Sequence, residues 1–577
     1  MCITRWVLAV AILACTSMQG QGQLLEETST NLSTIPTTEP VSSNGSGGSG
    51  GSGGDSNSSS PVMMEQKPRR PNILLITTDD MNWDSVGVYG CPVPDTTPNI
   101  DRLASEGIQF DYGYVNIAVC TPSRHVILSG SHTHQTMTRG FTELESVGPT
   151  LPDLLREHGY YTSEVNKQQK PYNWHASFSE GETAWGRSVT FQKQLMREII
   201  SKADDRPWLT VFNLNDPHRA FHGAPDEDKY RPALYARFST PSRIYNATDI
   251  RVPGFLPDLP DVRTEIAQYY SSVRRADDNV GVILEEIDRA RQTNNTIVVF
   301  LSDHGMSNPF AKLSCYPNGL RVPFLVRYPG SIPSGTRDKV NMISAVDLAP
   351  TLLELAGVDV PSTMAGRSFL PLLQGKSQEG RDHVIGYYYR NVNDIVMYPM
   401  FVVQTRDWVY IYSPWVDGVR QARNSDFGRG LTWQAMTQAA DVVPSIQARV
   451  QFHKFRIRHE LYNIRQDPHA YFNIAADLEN SKVVKDMRQL LVYWMEETDH
   501  PARDLMKDPD NEALIADYMD WEEQNAIKQN LQENLTTTAK TSAAEKNGGG
   551  CLVSLGLLYV AFSWCTYYFV EQLRWVW

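Results

Sequence analysis

A chain of 577 residues is too long for one ordinary core, so two folded units with extensions are expected. Its 41% hydrophobic content is that of a globular protein and excludes a wholly disordered chain. A formal net charge of −13 argues against a nucleic-acid binder, which needs a basic footprint, but leaves room for an anionic substrate in a locally positive pocket.

Residues 1–20 read as a signal peptide, with Arg5 as the charged region and Trp6–Ala14 as the apolar run. The other reading is a short membrane anchor, for which the run is too short. A secretory route makes Asn-X-Ser/Thr sites usable for glycosylation, among them Asn246 and Asn294. Residues 21–67 are rich in Ser, Thr and Gly, cannot bury a core, and predict a disordered linker.

The body opens with PNILLITTDD, an apolar run of buried-strand length. A helix is expected over Pro98–Glu106, capped by Thr97 and stopped by Gly107. LPDLLREHG predicts another helix, and YYTSEV, PWLTVFNL, TIVVFLS and VPFLVRYP predict strands. Between them, Thr264 to Arg291 has helical spacing of apolar residues, and DLAPTLLELAGV returns to helix. Continuous apolar strands alternating with amphipathic helices predict an α/β catalytic domain over 68–380, with a large, mainly parallel sheet. A smaller antiparallel-sheet unit is expected over 381–508, where YPMFVVQTRDWVYIYS reads as paired strands and Lys482–Glu497 as helix.

Residues 509–550 read as a charged stalk, and 551–570 as a hydrophobic segment of about one membrane span. That segment is read either as a single-pass anchor or as a glycolipid-anchor signal with small residues near Ser542–Ala544 or Asn547–Gly549; Glu571 and Arg574 weaken the second reading. Three cysteines remain in the body: Cys91, Cys120 and Cys315. An odd count in an oxidising compartment leaves one over, and if Cys120 is chemically converted, Cys91 and Cys315 are free to pair.

In open α/β sheets ligands bind beyond the carboxyl ends of the strands, so the residues following each strand carry the chemistry. These are Asp79-Asp80, Asn166-Lys167, Asn215-Asp216-Pro217-His218 and Asp303-His304-Gly305. Taken singly, each is more often a cap or turn than a site. Together they make an oxygen-rich site for a hard divalent cation, Ca²⁺ rather than a transition metal, with one imidazole ligand; the bland alternative is a solvated acidic patch. The sharpest feature is Cys120-Thr121-Pro122-Ser123-Arg124. Pro122 suits a helix N-terminus, which places Cys120 at the positive end of a dipole, and Arg124 adds a fork for a tetrahedral oxyanion. A free reactive cysteine, as in a phosphatase or protease, is the plain alternative.

Cys120–Arg124 resembles the Cys-X-Pro-X-Arg signature of the sulfatase family, in which the cysteine is oxidised to formylglycine by a formylglycine-generating enzyme. The resemblance runs from about Pro71 to Pro501 and is greatest toward the sulfamidases, the N-sulfoglucosamine sulfohydrolases. It is carried by Asp-Pro-His-Arg at 216–219, Ser-Asp-His-Gly at 302–305, Tyr-Pro-Met at 398–400, Glu-Leu-Tyr…Asp-Pro-His at 460–469 and Trp494…Glu497-Thr-Asp-His-Pro501. It implies an alkaline-phosphatase-like sandwich with a smaller C-terminal antiparallel-sheet domain. It further implies that Asp79, Asp80, Cys120, Asp303 and His304 hold one Ca²⁺, and that Cys120 as formylglycine hydrate supplies the nucleophile. Arg124 would support the hydrate, while Lys167, His218 and Lys312 contact sulfate and His218 protonates the leaving group. Three positions depart from the sulfamidase pattern, the first being His304, where sulfamidases have Asn but other sulfatases have His. Lys312 falls where sulfamidases have Arg, and Gln169 replaces a histidine thought to help expel sulfate, a task Gln cannot perform as a base. His175 is the candidate substitute. The partners implied are a sulfated glycan, glucosamine N-sulfate of heparan sulfate first, and the membrane through the C-terminal segment, with a homodimer and a lysosomal or cell-surface address. A catalytically impaired relative that binds sulfated glycans is the alternative, and a phosphatase on the same fold is disfavoured by Cys120 in place of Ser or Thr.

Overall fold

Two apolar seven-residue runs, buried along their whole length, form strands covered on both faces. They are β1 (Asn72–Thr78) and β6 (Thr296–Ser302), which pair in parallel at the centre of the larger sheet. The computed structural model describes residues 70–546, apart from 143–147, 168–170, 179–186, 231–237, 391–395 and 424–426. The signal segment, linker and hydrophobic C-terminal segment lie outside the described residues.

The remaining strands of the larger sheet are β2 (Ile108–Tyr114), β3 (Tyr161–Val165), β4 (Ala176–Phe178), β5 (Trp208–Asn213), β7 (Phe324–Arg327) and β8 (Thr336–Ser344). Their order is β4-β3-β5-β1-β6-β7-β2-β8. All neighbours run parallel except around β7, which is antiparallel to both β6 and β2. The smaller sheet is β9 (His383–Tyr388), β10 (Met400–Thr405), β11 (Trp408–Tyr412) and β12 (His459–Asn463), antiparallel throughout in the order β12-β11-β10-β9. This is the alkaline-phosphatase-like α/β sandwich with its smaller C-terminal sheet.

Two helix groups flank the larger sheet. Pro98–Ser105, Val189–Ala203 and Leu431–Ala439 pack on the long helix Pro260–Arg289, while Cys120–Ser129, Leu151–Glu157 and Leu348–Leu355 pack together. Asp277 of the long helix accepts hydrogen bonds from the backbone N–H groups of Asn99 and Ile100 (3.0 and 2.8 Å), closing the N-terminus of Pro98–Ser105.

The expected stalk begins instead as a helix, Glu512–Lys546. Its first half docks on the body through buried Ile515, Tyr518, Met519, Glu522 and Ala526. Glu522 makes a buried ion pair with Arg139 (3.0 Å) and accepts the Tyr518 hydroxyl (2.7 Å). Among the described residues no helix is long and apolar enough to cross a membrane.

The expected disulfide is corrected: Cys91 and Cys315 are both free thiols. Cys315 is fully buried against the Met400 carbonyl (3.6 Å) at the start of β10, whereas Cys91 lies half-buried beside Tyr270 of the long helix. The two are held on different packing partners. Asn246 and Asn294 are both exposed, as a glycan acceptor must be.

Candidate active site

Four adjacent strands, β3, β5, β1 and β6, end at the same edge of the sheet and deliver their following residues to one place. A strand would send consecutive side chains to opposite faces. Asp80 escapes this by adopting a left-handed backbone (φ 72°), which a short carboxylate residue tolerates. Asp79 and Asp80 therefore converge with Cys120 and His304, and one ligand atom from each lies within 4.8 Å of the others. All four are buried. Asp303 stands beside them, its Oδ1 accepting from the Asp80 backbone N–H at 3.3 Å and lying 3.7 Å from His304 Nε2.

Cys120 is the first residue of the helix Cys120–Ser129, so its side chain sits where the helix dipole is positive. Its Sγ is 3.2 Å from His304 Nε2 and 3.5 Å from Asp79 Oδ1. Burial, and then the charge of Asp79, push the thiol well above its usual range, so it is not a ready thiolate.

Arg124, one turn along the same helix, is a buried tether. Its Nη2 reaches Asp79 (3.2 Å) and Asp303 (2.8 Å), and its Nη1 donates to Thr77 Oγ1 (2.6 Å) and to Asn213. Burial works against its charge, but Asp303 and Asp79 more than offset this. Ser123 donates to the Asp303 carbonyl at 2.6 Å, so the signature helix is bolted to the end of β6.

Lys167 ion-pairs with Asp79, and Lys312 with Asp80 at 2.9 Å. Burial alone would raise the Asp79 carboxyl, yet Lys167, His218, Arg124 and Lys312 together hold it well below the usual carboxylate range. Burial lowers the His304 imidazole, keeping it neutral as a metal ligand must be. Asn166 and Lys167 both have positive φ (56° and 44°), and reciprocal bonds between Asn166 and Asn213 (2.9 and 3.1 Å) hold that turn.

His218 is half-buried, close enough to Asp79 to lower that carboxyl electrostatically. Its loop is fixed by Asp216, which is no ligand. Asp216 accepts two bonds from Arg275 (2.6 and 3.0 Å) and pairs with Arg187 (3.1 Å), whose Nη2 also donates to the His218 carbonyl (2.6 Å).

Asp79, Asp80, Cys120, Arg124, Lys167, His218, Asp303, His304 and Lys312 thus lie toward one edge. Gln169 lies outside the described residues. His175 is not at the site: its Nδ1 meets the Thr162 backbone N–H (3.1 Å) and hydroxyl (3.0 Å) near the start of β3, so the expected substitute is corrected. Sequence reading missed Thr77, Asn213 and Arg187. The first two end β1 and β5 and were open to the same strand-end argument; Arg187 carried no local signal.

The carboxylates of Asp79 and Asp80, the His304 imidazole and Cys120, with Asp303 beside them, make a donor set that could hold a metal ion. 

Comparison with known proteins agrees with this geometry. The Sulfatase family model matches residues 71–358, and the model for the C-terminal part of N-sulphoglucosamine sulphohydrolase matches 303–415. The chain is 30% identical over 378 residues to dog (Canis lupus familiaris) N-acetylgalactosamine-6-sulfatase, covering 56% of this chain and 69% of that one. It is 28% identical over 473 residues to the N-sulphoglucosamine sulphohydrolase of Homo sapiens, covering 75% and 92%. In fold it is similar to a solved structure in complex with its substrate D-glucosamine-2-N,6-O-disulfate, with TM-score 0.58, 20% identity, and coverage of 76% and 99%. The chain belongs to the sulfatase family and is a sulfatase-type hydrolase.

Proposed function

We propose that this chain removes sulfate from a sulfated sugar, N-sulfoglucosamine of heparan sulfate first, after Cys120 has been converted to formylglycine by a formylglycine-generating enzyme in the secretory pathway. The observation that carries the reading is the convergence of Asp79, Asp80, Cys120 and His304 at one buried point, ringed by Arg124, Lys167 and Lys312. The substrate assignment rests on the likeness to human N-sulphoglucosamine sulphohydrolase.

Asp79, Asp80, Asp303 and His304, with the residue at 120, would hold one Ca²⁺. When bound, that ion supplies positive charge that favours the deprotonated hydroxyl and draws in the sulfo group. The formylglycine hydrate at 120 supplies the attacking hydroxyl. Arg124 holds Asp79 and Asp303 in place and keeps the helix N-terminus against the end of β6. Lys167 and Lys312 stand where sulfo oxygens would arrive and stabilise the charge that builds there. His218 gives a proton to the leaving amine or alcohol. A lysosomal or cell-surface address, glycans at Asn246 and Asn294, a membrane attachment through the C-terminal segment and a homodimer belong to the same proposal.

The test is the mass of the peptide spanning Cys120 from protein made in a secretory host, followed by sulfate release from glucosamine N-sulfate. Formylglycine and release are the expected results. Unconverted cysteine, in a host that converts a control sulfatase, overturns the enzymatic reading. Gln169 favours a second reading, an impaired enzyme in which the sugar leaves but the sulfate stays on residue 120: formylglycine with a trapped sulfate and slow sulfate release is its signature.

A further inference from the structure

Behind the loop that carries Lys312 lies a cavity of about 300 Å³, mouth included, whose enclosed part is about the size of one water or halide. Leu313, the residue after Lys312, lines it, together with Tyr388, Tyr398, Met400, Trp415, Phe427 and the basic residues Arg423, His453 and Arg456. Among the described residues no acidic residue lines it. Three of its walls present buried polar groups with nothing to bind. Arg456 is 6% exposed, and its Nε and Nη1 have no hydrogen-bond partner. Trp415 is 2% exposed and its Nε1–H has none, and His453, 3% exposed, has none at Nδ1.

Such groups are costly to bury, and native proteins rarely leave them orphaned without a ligand, ion or water. Among the described residues no carboxylate is within ion-pair distance of Arg456. Glu460 feels its charge, but its carboxylate accepts from Tyr316 and Tyr462. Arg456 instead lies over the rings of Phe310 and Tyr316 (5.3 and 5.1 Å to the centroids), which orient it but leave Nε and Nη1 unsatisfied.

We infer that this cavity is a second anion-binding site, distinct from the metal cluster, in which Arg456 and the Trp415 indole N–H grip a small anion or a single oxygen of a sulfo or carboxyl group. The Arg456 guanidinium, the orphaned Arg456 and Trp415 donors and the size favour that chemistry over a neutral ligand. Because Phe310 and Leu313 flank Lys312, an occupant also fixes the loop that presents Lys312 to Asp80. The anion comes either from a second charged group on the sugar or from solution.

The test uses the full chain and bromide. Crystals soaked in sodium bromide should show an anomalous peak within hydrogen-bond distance of Arg456 and Trp415 Nε1. In solution, replacing gluconate with bromide at constant ionic strength should raise the melting temperature, as binding to the folded state requires. Arg456→Gln should weaken that bromide response about tenfold, the scale of one lost charge-assisted bond. Trp415→Phe, which removes only the N–H donor, serves if Arg456→Gln does not fold. A KM raised by Arg456→Gln only for a sugar bearing a second anionic group identifies the source as substrate; an unchanged KM with the bromide effect intact identifies a free ion. An empty cavity in the wild-type map, or the same bromide response in all three proteins, overturns the proposal. Bromide binding needs no turnover, so this test stands or falls apart from the sulfatase reading.

Discussion

Two buried regions of this protein carry charge, and they are built on opposite principles. At the catalytic edge, Arg124, Lys167 and Lys312 crowd around Asp79, Asp80 and Asp303, with Lys167 and His218 still partly open to solvent. In the seam between the C-terminal helix Glu512–Lys546 and the body, one ion pair, Arg139–Glu522, is closed in. Arg139 lies over the rings of Tyr389 and Trp521 (5.3 and 5.0 Å), and Glu522 is fully buried. Beside it His132, His134 and His500 form an aromatic cluster with Trp494, Tyr387 and Tyr389. Burial drives all three imidazoles toward neutrality, His132 to about 3. The edge crowds several carboxylates and cations into one partly open place for a reaction; the seam closes in a single balanced pair and holds its imidazoles neutral for stability. Variants should therefore dissociate activity from stability.

The largest expected effect is at the edge. Cys120→Ala should lower sulfate release by about three orders of magnitude or more while leaving the melting temperature nearly unchanged, read by single-turnover kinetics alongside calorimetry. Comparable loss of activity and stability together would place Cys120 in the core instead. At the seam, Glu522→Ala strands Arg139 without its carboxylate and should cost about 3–5 kcal/mol of stability, with the activity per folded molecule retained. Urea unfolding measures the first and active-site titration the second; a fall in turnover by the folded fraction would merge the two regions.

Arg124→Lys keeps the charge but cannot span Asp79 and Asp303. A loss of about 10–100-fold in Ca²⁺ affinity or activity is expected, read by calcium titration of each protein. A further prediction concerns pH. The unfolded chain protonates His132, His134 and His500 near pH 6.5, and the folded chain resists doing so. Their contribution is therefore fully present above about pH 6.5 and is lost as pH falls below it, by up to about 1.4 kcal/mol per pH unit for each histidine. Melting curves between pH 7 and 4.5 should show this decline, and His132→Phe should make it shallower. A melting temperature that rises on acidification would contradict a neutral cluster.

The sequence by itself determined the strands of the sheet centre and the residues that follow them. β1, β5 and β6 are buried on both faces, so their apolar runs are unbroken, and the polar residues after each mark the catalytic edge. It also determined the Cys120 helix, because Pro122 in the first turn and Gly130 at its end (φ 62°) are local signals. Only the tertiary structure decided the rest. β8 is an edge strand with mixed exposure, so it lacks a continuous run, and β4 is three residues long. The reversal of β7 depends on its connection rather than its composition. The partners of Cys91 and Cys315 were fixed by packing, and so was the place of His175 beside Thr162. The C-terminal helix hides its docking face from any hydrophobic pattern, because a glutamate stands at its centre. Glu522 is tolerable there only because Arg139, some 380 residues earlier in the chain, reaches it. Local patterns report burial in apolar surroundings; they are silent wherever burial is made acceptable by a partner distant in sequence.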